Sequence, residues 1–362
     1  MTLYIRSLIF LLVLTLFFGA CKRRTLPVSP VIKPAYIDSS MTELFRQTQG
    51  ITAGVGATTL VLNDGRVLWL YGASHLNDYD AGSGKIACNA NTHSAGVIQS
   101  TSNTFLTLNT GSQDFIPSNQ ANTWFTPLHA YQFLDTVFVF CKKEGVVAIP
   151  GTYIAKYHFP SMQYIRTDSI STSSYTFGYS VVSDTATGFC YVFGLNQPNT
   201  STKNNLYVAR FLLNNPHSPW IYYNKDTWLN VASGATAITQ IPGENFSIRK
   251  VRGKYILLTQ QAGKACNTGT ALYSSIGAEA WGPFNNPVTL HQISDKLNGI
   301  TPITFGACLH AAWLNADNEI LITYSLDGYS PCVNTCNNGL DNPDFYRQKA
   351  LRVSLKNIDP SY

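Results

Sequence analysis

Residues 57–72 read ATTLVLNDGRVLWLYG, and the pattern of this stretch decides the fold. Two apolar runs flank Asn63-Asp64-Gly65, a step that accepts the positive φ angles of a tight turn, so the stretch predicts a β-hairpin. The pattern occurs five times in all. The other copies occupy residues 129–142, 179–195, 246–260 and 310–326, and their predicted turns lie near 134–135, 184–188, 252–253 and 315–318.

The hairpins recur at intervals of roughly 50 to 70 residues, and further strands follow each of them. These strands are predicted at residues 94–100, 105–108, 152–159, 163–167, 206–213, 220–223, 271–275, 288–293 and 350–355. A single sheet of about four antiparallel strands cannot bury both of its faces, whereas radial packing of several such sheets can. The sequence therefore predicts an all-β fold, a five-bladed β-propeller of four-stranded antiparallel blades. A tandem series of two-sheet sandwiches is the structural alternative, and it explains the five hairpins less economically.

The fifth repeat has no obvious outer strand before the chain ends at Tyr362. A segment at residues 35–38 could supply that strand and close the ring. Helix signals are scarce, and residues 42–48 form the best candidate. The prediction is a single propeller domain over residues 37–362, acting as a monomer.

The N-terminus carries the pattern of an export signal. Residues 1–20 hold Arg6, an apolar run over residues 8–18, and two small residues directly before Cys21. Residues 18–21 read FGAC, which resembles the bacterial lipobox, so the Cys21 thiol is the predicted lipidation site. Residues 21–36 would then be an extended, Pro-containing tether. We expect a lipid-anchored protein at a membrane of the bacterial cell envelope, periplasmic or surface-exposed; a plain secretory leader with an incidental Cys is the alternative.

Charge and motifs exclude several classes of protein. Lys and Arg number 25 and Asp and Glu 20, so the net charge of +5 is too small for an electrostatic nucleic-acid binder. The chain has no Walker loop, no His-Glu-x-x-His and no Gly-x-Ser-x-Gly elbow, and the start of a dinucleotide loop at residues 54–56 lacks its third glycine. A Ser or Cys nucleophile paired with a distant His stays open, because such triads assemble across a fold.

Seven cysteines remain after Cys21, so at least one of them must be unpaired. Cys332 and Cys336 could close a small disulfide loop or remain free thiols. A zinc site is the sharper hypothesis, but the sequence offers no second Cys or His pair at a suitable spacing.

Residues 77–85 read NDYDAGSGK and place Asp78, Asp80 and Gly82 at alternating positions, as in the first half of a calcium loop. The twelfth position holds Asn89, so the bidentate Glu of such loops is missing. A polar loop between two strands is the favoured interpretation, with Ca²⁺ at Asp78 and Asp80 as the alternative. No other cofactor is expected.

In a propeller, the loops that precede the first strand of each blade meet on one face, where ligands usually bind. Glu244 is the only carboxylate in these loops. Glycoside hydrolysis needs two acidic groups, so we nominate Glu244 with Asp80 or Asp78 as catalytic residues. Each of these side chains also has a purely structural interpretation, as a strand cap or loop residue. The predicted substrate-binding residues are His75, His93, Trp124, His129, Tyr179, Asn245 and His310.

Together with the lipobox, four strings in the sequence resemble a known family. They are TTLVLNDGRVLWLYGAS from residue 58, THSAGVIQ at Thr92–Gln99, FSIRKVRGKYILLTQ from residue 246, and NEILITYSL from residue 318. The chain resembles bacterial lipoproteins of the domain-of-unknown-function-4185 type over roughly residues 50–355. That group is related in fold to arabinanase-like five-bladed glycoside hydrolases.

The resemblance implies a glycoside-hydrolase-like propeller that binds, and in its active form hydrolyses, a poly- or oligosaccharide. In such relatives the strand that ends the first hairpin reads Phe-Gly-Asp, and here the matching residues are Tyr71-Gly72-Ala73, so an acid is replaced by Ala73. His93 and Trp124 match the family pattern. A glycan-binding module without catalysis, or a protein-interaction propeller, is the alternative function.

Overall fold

The computed structural model describes residues 33–362 apart from residues 147–148, 172–173, 197, 199–202, 264, 298 and 331–332. Within this part, Pro34–Tyr362 forms one compact unit. The predicted signal peptide at residues 1–20, the lipidation site Cys21 and Cys332 lie outside the described residues. No helix in the described part has the length and apolar character needed to cross a bilayer.

Five antiparallel sheets, called blades 1 to 5, follow one another along the chain. Their strands are given from the innermost outward. Blade 1 holds Ala57–Val61, Val67–Tyr71, Ala95–Gln99 and Phe105–Thr107. Blade 2 holds Thr123–Phe133, Thr136–Gly145, Thr152–His158 and Gln163–Ser171. Blade 3 holds Tyr175–Asp184, Phe189–Asn196, Asn204–Leu212 and Ile221–Asn224, and it is extended by Thr227–Leu229 and Thr239–Ile241. Blade 4 holds Phe246–Val251, Lys254–Gln260, Ala271–Gly277 and Asn285–Gln292. Blade 5 holds Ile303–His310, Glu319–Asp327, Lys349–Ser354 and Tyr36–Ile37.

Short elements connect the blades. The α-helices are Ser39–Leu44 and Leu355–Ile358, and the 3₁₀ turns are Ala232–Gly234, Ala311–Trp313 and Pro343–Phe345. Three two-stranded ribbons pair Ile51–Gly54 with Ser74–Leu76, Ile86–Ala87 with Leu340–Asp341, and Tyr329–Ser330 with Val333–Asn334.

The core is divided among the interfaces between neighbouring blades, with one hydrophobic cluster at each of the five. Leu70 of blade 1 and Val139 of blade 2 share one cluster, and Trp69 and Leu321 bring blades 1 and 5 together in another. The innermost strands also contact one another in sequence, from blade 1 to blade 5 and back to blade 1. The predicted five-bladed propeller is therefore confirmed.

The N-terminal segment closes the ring, as the sequence predicted. Tyr36–Ile37 pairs antiparallel with blade 5, placing Tyr36 opposite Arg352 and Ile37 opposite Leu351. The Tyr36 hydroxyl donates to Glu319 Oε2 over 2.8 Å, and Arg352 Nε donates to Asp38 Oδ2 over 2.8 Å. Blade 5 is therefore built from both ends of the domain.

Two local predictions need correction. The helix expected at residues 42–48 is Ser39–Leu44, because the Asp38 carboxylate accepts from the Met41 N–H over 2.9 Å and starts the helix earlier. The fifth hairpin, expected over residues 310–326, has its first strand at Ile303–His310 instead. The apolar run that follows His310 forms the 3₁₀ turn Ala311–Trp313, and Trp313 packs against Trp69 at a ring distance of 4.9 Å.

The disulfide pairing differs from the small Cys332–Cys336 loop that the sequence suggested. Cys336 is bonded to Cys88, 248 residues away, so a Cys332–Cys336 loop is wrong. The ribbon between Ile86–Ala87 and Leu340–Asp341 brings these two distant segments together. Cys266 is also disulfide-bonded. The free cysteines among the described residues are Cys141, Cys190 and Cys308, all buried, which confirms that at least one thiol is unpaired.

We expect Cys88→Ser to lower the free energy of unfolding by about 2 to 4 kcal/mol, because the bond closes a very long loop in the unfolded chain. Urea unfolding of purified protein measures the loss. Cys336→Ser and the double variant should be destabilised by the same amount as Cys88→Ser, because all three lack the same bond. An additive loss in the double variant would show that the two side chains act independently of the disulfide.

Candidate functional site

A cavity of about 300 Å³ opens at the axis, where the innermost strands of the five blades and the residues just before some of them meet. Residues 124–129, 176–179 and 306–310, expected to be loops before these strands, lie within the strands. All five blades or their preceding loops contribute to its wall, through Gly56, Thr58, Thr126, Tyr179, Glu244, Asn245, Phe305 and Cys308 among others. Tyr179, Glu244 and Asn245 were placed at this mouth from the sequence alone, and the structure brings them together. Two further cavities, of about 640 and 340 Å³, adjoin the axial one through shared residues.

Glu244 lies at the junction, since it lines all three cavities. It sits in the loop before the innermost strand of blade 4 and is half-buried. The backbone beside it is tightly packed. A Cβ atom on Gly243 would lie 3.0 Å from the Gln260 carbonyl oxygen, so a residue larger than glycine would push this loop away from the strand Lys254–Gln260.

Glu144 is a second carboxylate at this site, and the sequence analysis missed it. It lines the 640 Å³ cavity together with Glu244 and Tyr179. It stands directly across the blade 2 hairpin from Trp124, whose Nε1 donates to Glu144 Oε2 over 3.3 Å. The Thr126 hydroxyl also donates to this carboxylate, and Lys142 Nζ lies 2.8 Å from Glu144 Oε1.

These partners determine the charge of Glu144. Burial alone would raise the pKa of its carboxyl group, but the positive charge and hydrogen bond of Lys142, with the donors Thr126 and Trp124, outweigh it. The pKa of Glu144 is therefore lowered from its ordinary value. Glu144 is ionised at neutral pH and can act as a base, a nucleophile or an electrostatic partner, but not as a proton donor.

Tyr179 lines a cavity together with both glutamates. It lines the axial and the 640 Å³ cavities, and its ring stacks on Phe246 at 5.6 Å. Burial raises the pKa of the Tyr179 phenol, and the nearby charges of Glu244 and Glu144 raise it further. Tyr179 therefore keeps its proton and can serve as a hydrogen-bond donor in the cavity that the two carboxylates also line.

Trp124 and His93, both predicted to bind substrate, form one stacked pair. Their ring centroids are 4.5 Å apart with an interplanar angle of 19°. Asp114 holds the pair in place, because its Oδ1 accepts from the His93 N–H over 2.6 Å and its Oδ2 lies 3.3 Å from His93 Nδ1. The His93 side chain is 52% exposed. The pair therefore offers a planar, solvent-accessible edge next to Glu144.

The predicted second acids lie elsewhere. Asp78 Oδ2 is 2.6 Å from Nδ1 of His75, which is buried, and Asp78 Oδ1 accepts from the Thr52 hydroxyl over 2.8 Å. Asp80 accepts from the Gly82 N–H and the Ser83 hydroxyl within its own loop. None of His75, Asp78 and Asp80 is among the described residues that line the three cavities. A pairing of Glu244 with either aspartate therefore stays a prediction.

The two aspartates also have separate partners, which bears on the calcium alternative. Asp78 is directed at His75 and Thr52, whereas Asp80 is directed at its own turn. In the described part of the chain, no group of three or more His, Cys, Asp and Glu side chains is arranged to hold a metal ion.

His129 and His310 belong to the interior, between the innermost strands. His129 Nε2 donates to the Thr59 carbonyl over 3.1 Å, and the two ring nitrogens of His310 lie 2.8 Å from the Thr59 and Thr323 hydroxyls. Burial lowers the pKa of both imidazoles, and the nearby Arg249 charge lowers it further. Both rings are neutral. Direct sugar contact by these histidines stays a prediction that their burial disfavours.

The site thus combines two carboxylates and a protonated phenol that line one cavity. The aromatic pair of Trp124 and His93 contacts Glu144 through Trp124 but is not among the described residues that line the three cavities. The chain belongs to the DUF5005 family, a domain of unknown function whose family model matches residues 38–355. No curated protein matches the sequence.

One of the following three solved structures shares the fold, and the other two are less similar. A candidate hydrolase from Bacteroides ovatus has a TM-score of 0.72 at 18% identity, with 90% of this chain and 92% of that chain covered. The catalytic domain of a GH62 α-L-arabinofuranosidase from Coprinopsis cinerea has a TM-score of 0.46 at 13% identity, covering 90% and 95%. A GH43_1 enzyme from Xanthomonas citri, solved with xylotriose, has a TM-score of 0.47 at 12% identity, covering 86% and 92%.

We expect Lys142→Met to raise the pKa of Glu144, because the substitution removes both a positive charge and a hydrogen bond. In the wild type the lowered pKa stabilises the fold above the unfolded-state pKa, and this stability is lost as the pH falls through the folded-state pKa. The variant should therefore be less stable than wild type at pH 7, by less than about 1 kcal/mol because the pair is partly solvated. The two proteins should converge below the lowered pKa of Glu144.

Urea unfolding at a series of pH values measures this difference. Lys143→Met is the matched control, because Lys143 Nζ donates to Gln120 Oε1 rather than to a carboxylate. A constant difference between wild type and Lys142→Met across all pH values would contradict the assignment of Lys142 as the group that keeps Glu144 ionised.

Proposed function

We propose that the protein is a glycoside-hydrolase-like propeller of the cell envelope that binds and hydrolyses a poly- or oligosaccharide at the 640 Å³ cavity that adjoins the axial one. One observation carries the proposal: Glu144, Glu244 and Tyr179 line one cavity. Two carboxyl groups facing a shared space are the minimum that hydrolysis of a glycosidic bond requires. The candidate hydrolase from Bacteroides ovatus, which has a similar propeller, agrees with this class of reaction.

The environments of the two glutamates give them different roles. Glu144 is held ionised by Lys142, so it takes the part of the base that activates water or of the nucleophile at the anomeric carbon. Glu244 takes the part of the general acid and donates its proton to the oxygen of the leaving sugar. The bond between the anomeric carbon and the leaving oxygen breaks, and a water molecule adds its hydroxyl to that carbon. The other proton of this water passes to the two carboxylates and replaces the one that Glu244 donated.

The neutral groups of the site have binding roles. Trp124 and His93 offer a flat edge on which a sugar ring can stack, and Tyr179 can donate a hydrogen bond to a sugar hydroxyl. Trp124 also donates to Glu144, so it would couple the position of the bound sugar to the position of the carboxylate. A role of Asp78 or Asp80 as second acid stays the competing assignment.

A specific observation favours a binding module without catalysis as the second candidate. Ala73 is exposed and follows Gly72, which lines the axial cavity, so the acid implied by the family resemblance is absent from this position. The ion pair with Lys142 also leaves Glu144 less free to attack a substrate. In that case the same cavity would retain sugars without cleaving them.

We expect Glu244→Gln and Glu144→Gln each to lower glycan cleavage at least about 100-fold, because each removes one of the two acid–base groups. The measurement is the release of new reducing ends from a plant and bacterial polysaccharide panel. Asp80→Asn tests the competing assignment and should retain wild-type turnover, whereas a comparable loss in Asp80→Asn would favour Asp80 as the second acid. Unchanged turnover in Glu244→Gln would remove Glu244 from the mechanism. Retention of a glycan by wild type without product would favour the binding module.

For Trp124, we expect the Ala variant to lose oligosaccharide affinity by about tenfold and the Phe variant to keep most of it, because Phe retains the stacking face. Isothermal titration with a panel oligosaccharide measures both. The Phe variant removes only the Nε1 donor to Glu144, so it separates stacking from the hydrogen bond. Equal affinity of wild type and Trp124→Ala would dismiss the stacking role.

We also propose lipidation of Cys21 and anchoring to an envelope membrane, which rests on the sequence pattern at residues 1–21. We further propose that the chain is related to lipoproteins of the domain-of-unknown-function-4185 type, which rests on the four sequence strings that begin at residues 58, 92, 246 and 318. Cys21→Ser should move the full-length protein from the membrane fraction to the soluble fraction of expressing bacteria. Metabolic labelling with a palmitate analogue gives the direct readout, and label that persists in Cys21→Ser would contradict the assignment.

A further inference from the structure

The 640 and 340 Å³ cavities extend from Glu244 in two directions. The larger one, called here the left arm, runs along blade 2 and the start of blade 3, and is lined by Lys143, Glu144, Ile149, Pro150, Ser174 and Thr176. The smaller one, the right arm, runs between blades 4 and 5, and is lined by Gly243, Asn245, Gln261, Ala262, Thr304 and Phe305.

Glu244 lines both arms and the axial cavity between them. Tyr179 and Lys142 join the left arm to the axis, whereas Asn245 and Phe305 join the axis to the right arm. The three spaces therefore form one groove, and the proposed general acid stands in its middle rather than at one end.

Both arms reach the protein surface. Pro150 lines the left arm and Gln261 the right arm, and both residues are exposed, so each arm has a solvent-exposed side among its described lining residues. A pocket that accepts only the terminus of a glycan needs a wall on one side of the reacting bond. Here, space of at least 300 Å³, a volume typical of a small-molecule site, lies on each side of Glu244.

We propose that this groove takes an internal segment of an extended glycan chain, with sugar units in both arms at once, and does not recognise a chain end. The inference rests on the proposed carbohydrate function and adds the mode of substrate binding. Contacts in both arms hold the polymer on either side of the bond next to Glu244, so remote binding energy helps to position that bond.

The two arms differ in the charged side chains that line them. We therefore expect a bound glycan to prefer one of its two possible orientations in the groove. The left arm carries the charged groups Lys142, Lys143 and Glu144. In the right arm, Glu244 is the only charged side chain among the described lining residues, and Gly243, Gly263 and Gln261 present backbone and amide groups. Neutral hydroxyls suit the right arm, whereas the left arm can also pair with charged substituents of a sugar.

The test uses ladders of arabino- and xylo-oligosaccharides of two to eight units, with arabinan, xylan and pectic polysaccharides, bound to the Glu244→Gln full-length domain. Affinity should rise about tenfold or more between two units and the longest oligosaccharide, about 1.4 kcal/mol. Chemical reduction of the reducing end of the longest oligosaccharide, together with capping of its other end, should leave its affinity unchanged. Tight disaccharide binding, or loss of binding on capping an end, would overturn the internal-segment mode while leaving the carbohydrate function standing.

Two blocking variants test the arms separately. Ser174→Trp fills the left arm and Ala262→Trp fills the right arm, and each should weaken the longest oligosaccharide about tenfold while leaving the disaccharide unaffected. Ala316→Trp, on the exposed blade 5 turn outside the groove, is the control. Urea unfolding confirms that all three remain folded. If only one of the two variants Ser174→Trp and Ala262→Trp weakened binding of the longest oligosaccharide, the inference would be overturned. If no glycan bound to the protein, both the inference and the proposed function would be overturned.

Discussion

Closure of the ring is the constraint on which the rest of the structure depends. Each blade buries its two faces only against its two neighbours, so five separate hydrophobic clusters form only if the last blade meets the first. Full burial of one large apolar side chain contributes about 1.5 to 3 kcal/mol, and an open ring would expose two whole faces. The strand Tyr36–Ile37, paired with Lys349–Ser354, completes the last blade from the other end of the chain.

The same constraint produces the site. Because the innermost strands contact one another around the axis, their first residues lie close together, and Tyr179, Glu244 and Phe305 line one cavity from three blades. Several buried polar groups form hydrogen bonds from one blade to the next. Arg249 donates to the Ser180 hydroxyl of blade 3 and lies 3.6 Å from Cys308 Sγ of blade 5, which ties neighbouring inner strands together.

Much of the fold could be predicted because hairpins are local. The alternation and turn residues of residues 57–72, and of three of the other four copies, lie in the strands and turns where they were expected. In the fifth copy the prediction of the first strand was wrong. The apolar residues after His310 have the pattern of a strand but form a 3₁₀ turn, in which Trp313 packs on Trp69 from another blade. The local sequence pattern around Trp313 contains no information about its contact with Trp69, which lies 244 residues away in the chain.

The candidate site could be predicted only in part. Glu244, Tyr179 and Trp124 were found because they stand in or next to the loops that precede inner strands. Glu144 was missed because it lies at the far end of a second strand that was expected to stop at Lys142. Continuing the hairpin register from Leu134-Asp135 would have brought Glu144 close to Trp124, but the bulge between Val139 and Cys141, which places them directly opposite, is not visible in the sequence.

By itself, the sequence determined the all-β class, the five repeats, the turns and the segment that closes the ring, because these follow from periodicity and backbone preferences over short distances. Tertiary structure alone decided which acid lines a cavity together with Glu244, which cysteine bonds to Cys88, and that His129 and His310 are buried instead of lining the cavity. These are relations between residues far apart in the chain. They depend on how the blades pack around the axis, which no local pattern encodes.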